Sequence, residues 1–161
     1  MIRRAKICDL EAMVQINVNA WKKNYKGIID DDFLETRTKE YVYNKWKELN
    51  WIEDNETITF VCEDNNLIKG FVSGKKNEKY DCEIVSIYVD PEYQNLNIGR
   101  KLFEQGKKHF KNIGCKNMII WTIKGLPNNG FYKKMGGIVK EENEIEYGNK
   151  KYLGIGFVFE L

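Results

Sequence analysis

Apolar and polar positions along this chain follow two rhythms, and each change of rhythm marks an element. "IRRAKI" (2–7) alternates residue by residue and predicts a short strand. Asp9 then stands as a helix N-cap, because Leu10, Val14, Val18, Trp21 and Tyr25 recur at the spacing of one helical face. Gly27 breaks that row. Val42, Trp46 and Leu49 resume it, predicting a second helical region within residues 30–50. The rhythm next shortens to "TITFVCE" (57–63) and "LIKGFVSGKK" (67–76), two β-branched and aromatic runs around Asp64-Asn65-Asn66, which predicts a hairpin. "CEIVSIYV" (82–89) is almost continuously apolar, the sign of a central strand covered on both faces.

A helix follows over 99–112, its apolar side made of Ile98, Leu102, Gly106, Phe110 and Ile113, and Gly114 ends it. "NMIIWTI" (117–123) predicts a buried strand. "NNGFYKKM" predicts a short helix capped by Asn128 or Asn129 and closed by Gly136-Gly137, and the remaining residues form two strands around Gly148-Asn149. The strand-helix-strand unit near 82–122 has to be parallel and right-handed, and the hairpins antiparallel. A single domain over 1–161 is expected, an α/β (α+β) fold with a mixed, mostly antiparallel sheet of about seven strands and helices on both faces.

Composition narrows the partners. A net charge of +2, with 26 Lys and Arg interleaved among 24 Asp and Glu, gives no electrostatic reason to expect a nucleic acid. No window is apolar enough to span a membrane, and the first residues lack the apolar run of a signal peptide. Cys8, Cys62, Cys82 and Cys115 are far apart and the chain has one histidine, His109, so no metal site is expected and the thiols suit a reducing cytoplasm. His109 reads as a structural residue of its helix, and "GIGF" (154–157) as glycines that permit sheet packing.

Candidate chemistry lies in "DPEYQNLNIGRKLF" (90–103). The chain leaves an apolar strand through Asp-Pro, crosses small and polar residues, and enters a helix at Gly99 beside Arg100 and Lys101. A helix N-terminus presents unpaired N–H groups and partial positive charge, a seat for an anion. Neither GxxxxGK[ST] nor GxGxxG between strand and helix is present.

"IVSIYVDPEYQNLNIGRKLF" resembles the signature of the GNAT superfamily of acyl-CoA-dependent N-acyltransferases, in which a [Gln/Arg]-x-x-Gly-x-[Gly/Ala] loop joins strand to helix. "AWKKNYKGII" is similar to the family's first helix and substrate lip, and "GFYKKMGG" to its Phe-Tyr segment. Gln94 and Gly99 match the loop, whereas Asn97 stands where the first glycine is usual; Asn is the non-glycine residue that best tolerates φ > 0.

The resemblance implies acetyl-CoA as co-substrate, no metal, and transfer to a primary amine, small-molecule or peptide, by direct attack in a ternary complex. A coenzyme-binding regulatory domain without turnover is the alternative, and monomer and homodimer stay open. It implies that the backbone of Asn95, Leu96, Asn97, Ile98, Gly99 and Arg100 surrounds the pyrophosphate, with Arg100 or Lys101 adding charge. A bulge would splay the preceding strand so that Ile87, Tyr88 and Val89 meet the pantetheine arm, the Val89 N–H polarising the thioester carbonyl. Tyr132 matches the family's general acid. The asparagine usual six or seven residues before it is replaced by Leu126 and Gly125, with Asn128 or Asn129 as substitutes. Glu83 matches the base of the family's histone acetyltransferases, and period two would give it the face of Val85, Ile87 and Val89. The acceptor pocket is expected near Trp21, Tyr25, Trp46 and Trp51, with Asp30, Asp31 and Asp32 supplying charge for a cationic amine.

Overall fold

A computed structural model describes residues 1–54 and 56–161. The elements, in chain order, are β1 (Ile2–Arg4), α1 (Leu10–Asn24), α2 (Asp31–Thr36), α3 (Lys39–Leu49), β2 (Thr57–Asp64), β3 (Leu67–Asn77), β4 (Asp81–Val89), α4 (Ile98–Asn112), β5 (Asn117–Ile123), α5 (Asn128–Lys134), β6 (Ile138–Tyr147) and β7 (Lys150–Glu160). The seven strands form one sheet in the order β1-β2-β3-β4-β5-β7-β6. Among the described residues β4–β5 is the only parallel pair of these strands, and α4 makes the crossover between them. The expected α/β architecture, a mixed sheet with helices on both faces, is the one observed.

Each face of the sheet buries a separate apolar cluster. On one side α4 sets Leu102, Phe103 and Phe110 against Val72, Ile84, Phe157 and Phe159. On the other, Met13 and Val14 of α1 and Val42 and Trp46 of α3 cover Val61 and Phe71. Adjacent residues of one strand, Phe71 and Val72, therefore belong to opposite clusters, as the two-residue period of a strand requires. The β2–β3 hairpin turns through Asn65 and Asn66, both at positive φ (52° and 62°), the backbone that matches strand twist in a two-residue turn.

Several local expectations are corrected. Asp9 does not cap α1: its own backbone is helical and its side chain makes no cap hydrogen bond. Instead its carboxylate accepts hydrogen bonds from Arg3 Nη1 (2.7 Å), Arg3 Nη2 (3.0 Å) and the Lys6 N–H (2.8 Å). The helical region between residues 30 and 50 is broken in two, because Arg37 leaves helical geometry (ψ 60°) and Thr38 Oγ1 caps a new helix by accepting from the Tyr41 N–H. Ile113, expected on the buried row, is 49% exposed past the end of α4. The α5 cap position is Pro127, so Asn128 and Asn129 lie inside the first turn.

Candidate active site in the fork between β4 and β5

The sheet is left unfinished at its centre. β3 and β4 pair as Ser73↔Ser86 and then Gly74↔Ile84, so Val85 is one residue extra. β4 pairs with β5 only at Cys82↔Met118 and Glu83↔Ile119. Beyond those two pairs the strands part, since β4 stays with β3 while β5 is held by seven pairs to β7, from Asn117 to Ile123. Gly74 fits this bend: a Cβ there would lie 2.7 Å from both the Glu83 carbonyl oxygen and the Phe110 ring.

The extra residue also reverses the expected placement of Glu83. Before the bulge Cys82 and Ile84 face α4; after it Ile87 and Val89 do. Glu83 is paired across from Lys75 and belongs to the opposite face, with Ser86 and Tyr88. Its carboxylate accepts a hydrogen bond from Asn77 Nδ2 (3.2 Å), and it lines neither cavity described below.

The larger cavity, about 540 Å³, runs from the end of β4 to the start of α4, past Ile87, Tyr88, Val89, Gln94, Asn95, Asn97, Ile98, Gly99 and Arg100 to Phe131 and Tyr132. Asp90 shapes the approach, its Oδ1 accepting from the Glu92 N–H (3.0 Å). Asn95 (φ 66°) and Asn97 (φ 60°) take left-handed backbone, as the Asn-for-Gly exchange at 97 demands. Asn97 caps nothing with its side chain, and the first helical bond of α4 is Lys101 N–H to the Asn97 carbonyl (3.1 Å). The N–H groups of Ile98, Gly99 and Arg100 thus lack intrahelical acceptors at the cavity wall. A Cβ at Gly99 would meet nothing closer than 3.6 Å, so protein packing does not demand glycine there. Leu96 (58% exposed), Lys101 and Asn129 do not line this cavity. Lys101 sits on an adjoining surface groove with Arg100 and Lys108. Asn129 is spent on structure, donating to the Ile123 carbonyl (3.0 Å) and accepting from the Gly125 N–H (3.0 Å).

The smaller cavity, about 210 Å³, is walled by Trp21, Tyr25, Ser86, Tyr88, Trp121 and Tyr147 among others. Five residues line both spaces: Tyr25, Ile87, Tyr88, Asn128 and Tyr132. They form a shared wall, the neck between the two cavities. Asn128 Oδ1 is fixed there by Thr122 Oγ1 (3.0 Å). Burial pushes the Tyr132 phenol far above its ordinary value, with Tyr88 adding to the effect and a hydrogen bond with Asn128 opposing it.

Trp21 organises the smaller cavity. Its ring centroid lies 4.4 Å from that of Tyr25 and 5.4 Å from that of Tyr147, and its Nε1 donates to Tyr88 Oη (3.0 Å). The Arg37 guanidinium covers the Trp21 ring at 3.8 Å and donates to Asn17 Oδ1 (2.8 Å). Trp46 and Trp51, expected near the acceptor, stack on each other (5.8 Å) in the α1–α3 cluster. The expected acidic lining is also absent from this cavity: Asp30 pairs with Lys150 (2.6 Å), and Asp31 and Asp32 are exposed at the start of α2. Sequence reasoning had not singled out Arg37 or Tyr147; their spacing carries no signal, because one stands in the helix break and the other 126 residues beyond Trp21.

The parallel pair thus forks at the head of its crossover helix, with a long cavity at that helix and a smaller one beside it. Residues 21–137 match the model of the family described as Acetyltransferase (GNAT) family. The chain belongs to that family. It is 30% identical over 158 residues to a spermidine N(1)-acetyltransferase of Thermoplasma acidophilum, covering 94% of this chain and 96% of that one. It is 27% identical over 162 residues to an uncharacterized N-acetyltransferase of Bacillus subtilis, covering 97% and 91% of the two chains. Among solved structures, the fold matches the PaiA N-acetyltransferase of T. acidophilum in complex with coenzyme A (TM-score 0.73, 22% identity, 96% of each chain). It also matches a GCN5-related N-acetyltransferase of Rhodopseudomonas palustris (TM-score 0.78, 15% identity, 100% and 95% covered). Among the described residues no cluster of three His, Cys, Asp or Glu side chains suits a metal ion, and no helix is long and apolar enough to cross a membrane.

Proposed function

We propose that this protein transfers the acetyl group of acetyl-CoA to a primary amine, both bound at once, by direct attack of the nitrogen on the thioester. The supporting observation is the neck: two adjacent cavities share one wall at the fork, so a thioester in the larger and an amine in the smaller would meet beside Ile87, Tyr88 and Tyr132. The open N–H groups of Ile98, Gly99 and Arg100 would take the pyrophosphate, with the Arg100 side chain as the nearer cation. The β4 backbone at Ile87–Val89, paired to β3 but open on its β5 side, would bond the pantetheine amides as an added strand does, and the Val89 N–H would polarise the carbonyl. Tyr132, protonated at any ordinary pH, would donate to the departing sulfur. Asn128, whose side chain reaches the neck while that of Asn129 does not, would position the coenzyme arm. The role of Trp21 and Tyr25 would be to bind the acceptor.

Calorimetry with coenzyme A, then thiol release over a panel of amines, tests the reading. Heat of binding together with amine-dependent thiol release is expected. Spermidine belongs in the panel because the 30%-identical relative bears its name. Binding without thiol release from any amine would reduce the protein to a coenzyme-binding domain.

A further inference from the structure

Among the described residues the smaller cavity is lined by phenols, indoles, hydroxyls, an amide and aliphatic groups but by no carboxylate. The groups facing it from each element are Tyr25 at the end of α1, Ser86 and Tyr88 on β4, Thr122 on β5, Asn128 and Tyr132 on α5, and Tyr147 on β6. Behind Trp21 stands the Arg37 guanidinium, which makes no ion pair among the described residues and whose buried Nε makes no hydrogen bond. The nearby Asp30 carboxylate is occupied by Lys150. Glu83 lies at the closed end of the β4–β5 pair, bonded to Asn77. Burial pushes the phenols of Tyr25, Tyr132 and Tyr147 up, so each stays neutral near pH 7. An entering ammonium would give up its water, meet no anion, and sit near a fixed cation.

We propose that the acceptor enters this cavity as its neutral free base, and that the protein supplies no side-chain base to deprotonate it. The inference rests on the transfer reading above. The proton balance supports it. The lone pair of a neutral nitrogen forms the C–N bond, and the C–S bond breaks with its electron pair left on sulfur. Nitrogen then sheds one proton and sulfur needs one. Amine plus thioester therefore becomes amide plus thiol with no proton left over. Tyr132, which lines both cavities, can pass its phenolic proton to sulfur and recover the one from nitrogen. The acceptors favoured are amines of weak conjugate acid, such as peptide or amino-acid α-amino groups at about 7.7–8.0, over lysine-like alkylamines at about 10.4. At pH 7 their free-base fractions differ by roughly 300-fold.

The test follows thiol release from the intact protein at saturating acetyl-CoA, pH 6 to 10, for an amino-acid amide and an alkylamine. Expected is a kcat/KM that rises tenfold per pH unit up to each amine's own ammonium pKa. The two break points would then stand about 2.5 units apart, with the alkylamine still climbing at pH 10, while kcat stays flat for both. One break between pH 6 and 8 shared by both amines would overturn the proposal by revealing a base in the protein, and its loss in Glu83→Gln would name that base. Retained coenzyme binding with no thiol release from any amine would instead overturn the transfer reading, and the inference with it.

Discussion

Single side chains at the neck divide into those that touch both cavities and those that hold them in place. Tyr132 is the first kind: it is 5% exposed, reaches both spaces, and keeps its proton. Tyr132→Phe is expected to lower kcat about 10²-fold through loss of the proton donor, while calorimetry records unchanged affinity for coenzyme A. Arg37 is the second kind, since it clamps Trp21, which in turn fixes the Tyr88 hydroxyl. The sequence announced Tyr132 through a local motif, Gly-Phe-Tyr, and announced the loop through Gln94 and Gly99. It was silent on Arg37 and Tyr147 because their role depends on contacts between distant elements. It misplaced Glu83 for a different reason: one bulged residue inverts every face assignment beyond it, and nothing in "EIVSIYV" marks which residue that is.

Elements were legible wherever their periodicity was long. The α4 row from Ile98 to Phe110, the β2–β3 hairpin and the final hairpin stand where their patterns put them. The break between α2 and α3 was missed because Thr38, an adequate helix resident by pattern, is used as a cap. The fork has its own sequence mark in Gly74, opposite the bulge and under Phe110. Gly74→Ala would force a methyl against backbone and ring together, and is expected to cost about 1–3 kcal/mol. Urea unfolding checks this as a lowered midpoint at unchanged slope. α4 also shows why a non-glycine loop suffices: Asn97 carries the left-handed turn, and the helix begins at the next residue.

Across the whole molecule, the β1 edge is tied to α1 by Arg3, which donates to Asp9 and also to Glu63 Oε2 (2.6 Å) on β2. Burial pushes the Asp9 carboxyl up, but the Arg3 guanidinium and the Lys6 N–H outweigh it and leave it below its ordinary 3.8. A depressed carboxyl contributes stability that is present above its unfolded value and lost as pH falls through the folded one. Asp9→Asn is therefore expected to be less stable at neutral pH by about 1–3 kcal/mol, with the gap narrowing below about pH 4 in chemical denaturation across a pH series.

The unfinished ladder bears on how long the molecule lasts. With its two middle strands parted past Glu83 and Ile119, the uncombined protein carries an open seam through its centre, and a coenzyme arm laid along β4 would close it. At a hundred times the dissociation constant, binding to the folded state alone adds about 2.7 kcal/mol, a rise of roughly 5–10 °C in Tm that a melting series with coenzyme A would show. Lifetime against proteases would then follow the surrounding coenzyme supply: copies made when that supply runs low would be the first degraded.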